Sequence, residues 1–151
     1  MARPRAHRGG LRRASGRSGR VAWHEALTLL LDTHVVLWWM AGDAARLSDA
    51  AARAIAADDA RIVVSAVTVW EVAIKRGLGK LEAPDDLLAQ LERARVELLP
   101  ITARHADLVP ALPEHHRDPF DRLLVAQATR ERLSIVSADE SLRRYGVDVV
   151  W

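Results

Sequence analysis

The chain has 151 residues, of which 50% are hydrophobic, and this is enough for one globular domain with a buried core. It contains no cysteine, which excludes disulfides and thiolate metal sites, so any metal must bind oxygen or imidazole. The most apolar run, residues 27–39, is interrupted by Asp32 and His34 and is shorter than the roughly 20 residues that cross a bilayer. It also lacks the features of a signal peptide, and we expect a cytoplasmic protein without a membrane partner.

The formal net charge of +2 is unevenly distributed along the chain. Residues 1–24 hold seven arginines and no acidic residue, which leaves 15 basic against 20 acidic residues in the rest. We expect residues 1–26 to be a disordered arginine-rich leader, because few apolar side chains are present to offset the entropy of ordering. The leader is interpreted as a start site assigned too far upstream, an RNA-binding arm or a targeting segment. Residues 27–151 form the predicted folded domain.

Short apolar runs alternate with helical patterns along the folded part. The predicted strands are residues 28–31, 61–64, 96–99, 133–136 and 147–150, the last at a sheet edge. The predicted helices are residues 35–40, 49–57, 66–76, 84–95, 103–109, a central helix that starts at 119, and 140–145. This order predicts an α/β fold with a central, mainly parallel sheet of four to five strands flanked by helices on both faces, a three-layer α/β/α arrangement.

Residues 116–128 are the most informative stretch of the chain. Asp118 is placed to cap a helix that begins at Pro119, because proline's missing N–H costs nothing at the first helical position. Asp121 then heads an apolar face. The apolar positions that follow it are Leu124, Val125 and Ala128. A carboxylate directed toward a core needs a hydrogen bond, a counter-charge or a cation, so Asp121 requires an explanation.

A second acid lies within the apolar pattern of the helix that follows residues 61–64. Ser65 is the predicted cap of this helix. The predicted core-facing stripe consists of Val67, Trp70, Ile74 and Leu78. Glu71 falls within this stripe, four residues after its first member, and is the acid least compatible with a solvated surface position.

Four acids are expected to meet at one edge of the sheet. Asp32 and Asp139 follow the first and fourth strands. Glu71 lies in the second turn of the helix after the second strand and Asp121 in the first turn of the helix before the fourth, and these positions share an edge in a parallel sheet. Carboxylates so close together require a counter-charge, and Mg²⁺ or Mn²⁺ prefers carboxylate and water oxygens. The sequence therefore predicts a divalent-cation site at this edge, suited to hydrolysis of a phosphodiester.

Three of the acids also have an ordinary structural interpretation. Asp118 is a sufficient helix cap, Asp121 is placed to complete a capping box, and Asp139 suits a turn. The joint placement of the acids, rather than any one of them, favours a site.

Other polar and aromatic residues give weaker signals. His34 lies near the predicted site, although packed or surface histidines are more common, and His115 and His116 are expected to face solvent. Trp38 and Trp39 are expected to pack in the core rather than to stack on bases. Basic side chains that are candidates for holding phosphates, with a solvated surface position as their default, are Lys75, Arg76, Lys80, Arg117 and Arg122.

Four segments resemble the acidic motifs of PIN-domain ribonucleases, above all the VapC toxins of type II toxin–antitoxin systems. The segments are residues 29–34 (LLLDTH), 65–75 (SAVTVWEVAIK), 116–128 (HRDPFDRLLVAQA) and 135–139 (IVSAD). The resemblance covers roughly residues 27–151, and DPFDRL is its most specific part. Ser137 and Ala138 stand where Thr and a basic residue are common, and the leader has no counterpart.

The resemblance implies a PIN-like fold and a Mg²⁺-dependent endoribonuclease, with Mn²⁺ as a possible substitute. It also implies a homodimer that is neutralised by a small antitoxin whose tail enters the acidic groove. Asp32, Glu71, Asp121 and Asp139 match the family's metal-site acids. Asp118 matches the extra acid of a subgroup, which makes it a secondary acid of the metal site. We expect Asp32 and Asp121 to be the principal metal ligands and the other two to complete the shell or orient water.

Two rival functions are compatible with the same residues. A phosphatase would use Asp32 as a covalent nucleophile, but the partner acid usual two residues later is replaced by His34. A non-catalytic PIN-fold module would keep the architecture and only bind RNA or a protein partner.

Overall fold

The computed structural model describes residues 27–151, so the expectation of a disordered leader at residues 1–26 lies outside the described residues. A five-stranded sheet forms its centre, and every pair of neighbouring strands is parallel. The strands are β1 (Thr28–Leu31), β2 (Arg61–Ser65), β3 (Glu97–Leu99), β4 (Ser134–Val136) and β5 (Val149–Val150). Their spatial order is β3-β2-β1-β4-β5, which confirms the parallel sheet with its last strand at an edge.

Within residues 27–151, six α-helices connect and cover the strands. They are α1 (Thr33–Met40), α2 (Asp49–Ala56), α3 (Ala66–Gly77), α4 (Leu87–Arg93), α5 (Ala103–Leu108) and α6 (Pro119–Glu131). Short 3₁₀ segments lie at Ala44–Arg46, Val109–Ala111 and Glu140–Tyr145. The last of these was expected as an ordinary helix, and α4 begins later than predicted. No helix within residues 27–151 combines the length and the hydrophobicity needed to span a bilayer.

Strand β1 shows why helices cover both faces of the sheet. Leu29 and Leu31 belong to one core cluster, while Leu30, between them, belongs to a second. Successive side chains of a strand point to opposite faces, so the two clusters lie on the two sides of the sheet. Leu91 of α4 packs in the first cluster and Leu124 of α6 in the second. The predicted three-layer arrangement is therefore confirmed.

The pairing of β1 with β4 positions the candidate site. Leu31 is in register with Val136, and the Asp32 N–H donates to the Val136 carbonyl at 3.0 Å. The chain leaves β1 toward β2 on one side, while β4 flanks β1 on the other. Ligands bind at such a switch point in open α/β sheets, so the residues after these strands are placed to face a ligand.

The predicted core stripe of α3 is wrong in three of its positions. Trp70, Ile74 and Leu78 are 48%, 44% and 63% exposed. The residues of α3 that are buried are Val67, Thr68, Glu71 and Val72. The helix carries apolar side chains on two faces, and periodicity alone does not say which of the two packs against the sheet. Glu71, by contrast, is buried as expected, at 5% exposure.

Candidate active site

A cavity of about 510 Å³ opens at the carboxyl edge of the sheet. Its lining residues are Asp32, His34, Trp38, Glu71, Lys75, Asp118, Asp121, Ala138 and Asp139. All five predicted acids thus line one cavity. Trp38 and Trp39 pack against the neighbouring core cluster, in line with their expected core role, although Trp38 also reaches the cavity wall.

Asp32 occupies the N-cap position of α1 without capping the helix through its side chain. Its Oδ2 accepts a hydrogen bond from the Ser137 hydroxyl at 2.5 Å. Burial raises the pKa of Asp32, although the Ser137 hydrogen bond acts in the opposite direction. Because the Asp32 carboxylate does not cap α1, it is available to a ligand in the cavity.

Asp121 lies in the first turn of α6, close to other carboxylates. Burial, followed by the negative charges of Asp118 and Asp32, raises the pKa of Asp121 to about 7. The nearest basic group is the imidazole of His116, whose Nδ1 lies 3.4 Å from Oδ2. Around Asp121, acidic neighbours therefore outnumber basic ones.

Asp139 caps the 3₁₀ segment that follows β4. Its Oδ1 accepts hydrogen bonds from the Ser141 N–H at 2.9 Å and from the Ser141 hydroxyl at 2.6 Å. Partial burial acts to raise the pKa of Asp139, but the hydrogen bonds from Ser141 and His116 outweigh it and the pKa is lowered. Asp139 is thus a turn residue and a cavity acid at the same time.

His116 was expected to face solvent, and the structure corrects this expectation. The imidazole is half-buried, with Nε2 at 2.7 Å from Asp139 Oδ2. The possible ligand atoms of His116, Asp121 and Asp139 all lie within 4.8 Å of one another. The loop before α6 must return to the same sheet edge as the acids, and this constraint, rather than any motif, was the available sequence signal.

Glu71 has a partner on each carboxylate oxygen. Thr33 donates to Oε2 at 2.5 Å, and the ammonium of Lys75 donates to Oε1. Desolvation acts to lower the pKa of Lys75, but its hydrogen bond and ion pair with Glu71 outweigh it, so the pKa is raised. Lys75 Nζ also lies 3.6 Å from Asp118 Oδ2.

Asp118 is a helix cap, as its structural interpretation requires. Its Oδ1 accepts hydrogen bonds from the N–H groups of Phe120 at 2.8 Å and of Asp121 at 3.4 Å. Its second oxygen faces Lys75, so both of its oxygens have positive or N–H partners.

The five basic residues considered for phosphate binding differ in whether they reach the cavity. Within residues 27–151, Lys75 is the one lysine or arginine that lines the cavity. The Arg122 guanidinium instead donates to the carbonyls of Val109 and Pro113 at 3.0 and 2.8 Å, and so fastens the loop that carries His116. Lys80 and Arg117 are exposed, while Arg76 pairs with the exposed carboxylate of Asp85 at 3.4 Å.

The donor set of the cavity fits a hard divalent cation. In the described part of the chain, Asp32, Asp121 and Asp139 form no ion pair with lysine or arginine. Their carboxylate oxygens, with one imidazole nitrogen beside them, are ligands that Mg²⁺ or Mn²⁺ accepts. A bound cation would also offset the negative charges of Asp118 and Asp32 that raise the pKa of Asp121.

Comparison with known proteins shows the family to which this fold belongs. Residues 29–148 match the family model of the PIN domain, and the chain belongs to that family. Within the family it is similar to Ribonuclease VapC22 of Mycobacterium tuberculosis, with 34% identity over 121 residues that cover 78% of this chain and 92% of the relative. The resemblance expected from the four acidic segments is therefore confirmed.

Solved structures show the same fold at lower sequence identity. VapBC2 from Rickettsia felis, bound to a DNA fragment from its promoter, matches with a TM-score of 0.60 and 15% identity over 82% of this chain and 97% of that one. DNA-bound VapBC from Salmonella typhimurium matches with a TM-score of 0.56 and 19% identity over 82% and 96% of the two chains.

Proposed function

We propose that this protein is a Mg²⁺- or Mn²⁺-dependent endoribonuclease and the toxin of a toxin–antitoxin pair, acting in the cytoplasm. The observation that carries the proposal is a single cavity in which Asp32, Asp121 and Asp139 lie without a lysine or arginine partner among the described residues. The similarity to a VapC ribonuclease supports the reaction class.

The residues divide into ligands and supports. Asp32 and Asp121 are the proposed principal ligands, with Glu71 and Asp139 completing the shell or orienting water. When bound, the ion would activate water and stabilise charge on the phosphodiester undergoing in-line attack.

Two neighbouring side chains hold the acids in place. Ser137 donates to Asp32 Oδ2 at 2.5 Å and accepts from the Asp139 N–H at 3.0 Å, so one hydroxyl joins two of the acids. Thr33, the residue after Asp32, fixes Glu71. These contacts orient the carboxylates, and hydrolysis by activated water requires no protein nucleophile.

Cleavage of an RNA panel tests the proposal. We expect cleavage with Mg²⁺ or Mn²⁺, none with excess chelator, and at least a 100-fold loss in Asp32→Asn, because outer-sphere changes alone typically cost about 10- to 100-fold. The matched control is Asp85→Asn, whose carboxylate is 96% exposed. Full activity in Asp32→Asn contradicts the mechanism, and absence of a saturable Mn²⁺ site favours a binding module that only docks RNA or a protein.

A small antitoxin is the proposed protein partner. An apolar cavity of about 410 Å³ adjoins the acidic one, and His34 and Trp38 line both. A peptide segment lying in this groove would reach the acids directly. The structural relatives from Rickettsia felis and Salmonella typhimurium are VapBC complexes. Inhibition of cleavage by the product of the adjacent upstream reading frame is the expected result, and undiminished cleavage contradicts it.

A homodimer is proposed through the exposed face of α3. Trp70, Ile74 and Leu78 recur at intervals of four residues on this face and remain exposed in the single chain. A second copy would cover them. Sedimentation should show a dimer that Ile74→Glu converts to a monomer, and a monomeric parent protein contradicts the proposal.

A further inference from the structure

Lys75 places a positive charge inside a cavity that is otherwise lined by acids. It lies in the last turn of α3, four residues after Glu71, and its side chain is 29% exposed. The ammonium lies 5.6 Å from the centre of the Phe120 ring. The aromatic ring and the partial burial favour a fixed position for this ammonium over a freely solvated one.

Glu71 is compensated before any metal ion arrives. A carboxylate with 7% side-chain exposure would be costly without a partner, and here Thr33 and Lys75 each occupy one of its oxygens. To ligate a metal ion, Glu71 would have to give up one of these two contacts. Glu71 accepts the hydrogen bond of Thr33 and so holds this residue in place. Because Thr33 directly follows Asp32, the same contact also helps to position Asp32.

Lys75 also divides the acids into two groups. Asp118 uses Oδ1 to cap α6 and has Oδ2 3.6 Å from the same ammonium. Glu71 and Asp118 therefore share one counter-charge that the chain itself supplies. The remaining three acids, Asp32, Asp121 and Asp139, have no lysine or arginine within ion-pair distance in residues 27–151.

We propose that Lys75 is the resident counter-cation of this site, a positioning residue that keeps Glu71 out of the metal's ligand set and leaves Asp32, Asp121 and Asp139 to bind the divalent ion. The inference rests on the proposed divalent-cation site and narrows its ligands from four acids to three, with Glu71 as a support rather than a ligand. It follows that Lys75 lowers the affinity for the metal through charge repulsion and, in the metal-free protein, stabilises the fold.

Two measurements on purified, metal-free protein test this role: the melting temperature in chelator and the Mn²⁺ affinity by calorimetry. Lys75→Met removes the charge and keeps most of the stem, and Lys75→Arg keeps the charge. The matched control is Lys80→Met at an exposed lysine three residues beyond the helix end. Glu71→Gln, alone and combined with Lys75→Met, tests whether the two residues act as a pair.

In Lys75→Met we expect a lower metal-free melting temperature and Mn²⁺ binding on the order of tenfold tighter, because one repelling charge a few ångströms away is removed. Lys75→Arg should restore both values, and Lys80→Met should change neither. In the Glu71→Gln background, Lys75→Met should no longer lower the melting temperature. This double variant, which lacks both charges, also keeps the test available if the single variant fails to fold.

Two results overturn the inference. One is a Lys75→Met protein that matches Lys80→Met in both measurements, and the other is Mn²⁺ binding that becomes weaker when Lys75 is replaced. RNA cleavage is scored separately. Normal Mn²⁺ binding by the parent protein without cleavage of any RNA contradicts the nuclease proposal and leaves the assignment of Lys75 intact.

Discussion

Two clusters of polar side chains in this protein differ in charge rather than in hydrogen bonding. In the α5–α6 cluster (Thr102, His105 and Glu131), the His105 ring is 1% exposed, with Nδ1 accepting from the Thr102 N–H at 3.1 Å and Nε2 at 2.7 Å from Glu131 Oε1. In the proposed metal cluster (Asp32, Asp121 and Asp139), charges of one sign are held together.

Hydrogen-bond satisfaction does not separate the two clusters. Within residues 27–151, no buried side-chain nitrogen or oxygen lacks a hydrogen-bond partner. Only the metal cluster contains a carboxylate, Asp121, whose pKa is raised to about 7 by burial and by neighbouring carboxylates. A buried polar residue thus indicates a structural role when its charge is balanced, and a ligand site when it is not.

The largest expected effect on stability comes from breaking the α5–α6 cluster. His105→Ala removes a buried ring together with the capping box at the start of α5, and we expect a loss of about 2 kcal/mol in the free energy of unfolding. Mn²⁺ binding by the folded protein should not change. Urea unfolding measures the loss, with exposed Asp107→Ala on the same helix as control. A His105→Ala protein as stable as this control would contradict the structural role.

A smaller effect is expected at the hydroxyl that supports the metal cluster. Ser137→Ala removes the hydrogen bond to Asp32 and the acceptor for the Asp139 N–H, so we expect Mn²⁺ binding and RNA cleavage to weaken about tenfold. Ser134→Ala, at the other end of β4, is the control, since its hydroxyl bonds only the exposed side of Asp148. Equal Mn²⁺ affinities in the two variants would show that the hydroxyl does not orient Asp32.

The raised pKa of Asp121 should make the stability of the metal-free protein depend on pH. The folded-state pKa of Asp121, about 7, lies above its ordinary value of 3.8, so the folded state binds more protons between these values. Stability should therefore fall as the pH rises from about 4 to 7, by on the order of 1 kcal/mol after allowance for solvent screening.

Urea unfolding in chelator, compared between the parent protein and Asp121→Asn, isolates this contribution. The variant should be the more stable protein at pH 7 and should lack this part of the pH dependence. Saturating Mn²⁺ should offset the fall in the parent protein only. Identical pH profiles for the two proteins would contradict a raised pKa at Asp121.

The sheet and the convergence of the acids were predictable because both follow from local patterns joined by one topological rule. Short apolar runs predicted the strands, Pro119 after Asp118 predicted the start of α6, and parallel pairing brings the residues after β1 and β4 together. None of these steps needs knowledge of side-chain contacts.

The wrong predictions concern side chains for which the local sequence is compatible with both a buried and an exposed position. Helix α3 has apolar residues on two faces, so Trp70 was assigned to the core although it is exposed. His116 lies in an irregular loop whose path depends on contacts with Arg122, six residues later, and with Tyr145, 29 residues later. The ion pair between Glu71 and Lys75 has ordinary helical spacing, and its significance emerges only from the burial of Glu71.

Calorimetric titration of the chelator-treated protein with Mn²⁺ at neutral pH tests whether the cavity acids form a divalent-cation site. We expect saturable binding in the parent protein and in Asp85→Asn, and its loss in Asp32→Asn and in Asp121→Asn. No saturable binding in the parent protein, or unchanged binding in both site variants, would contradict a divalent-cation site formed by these acids.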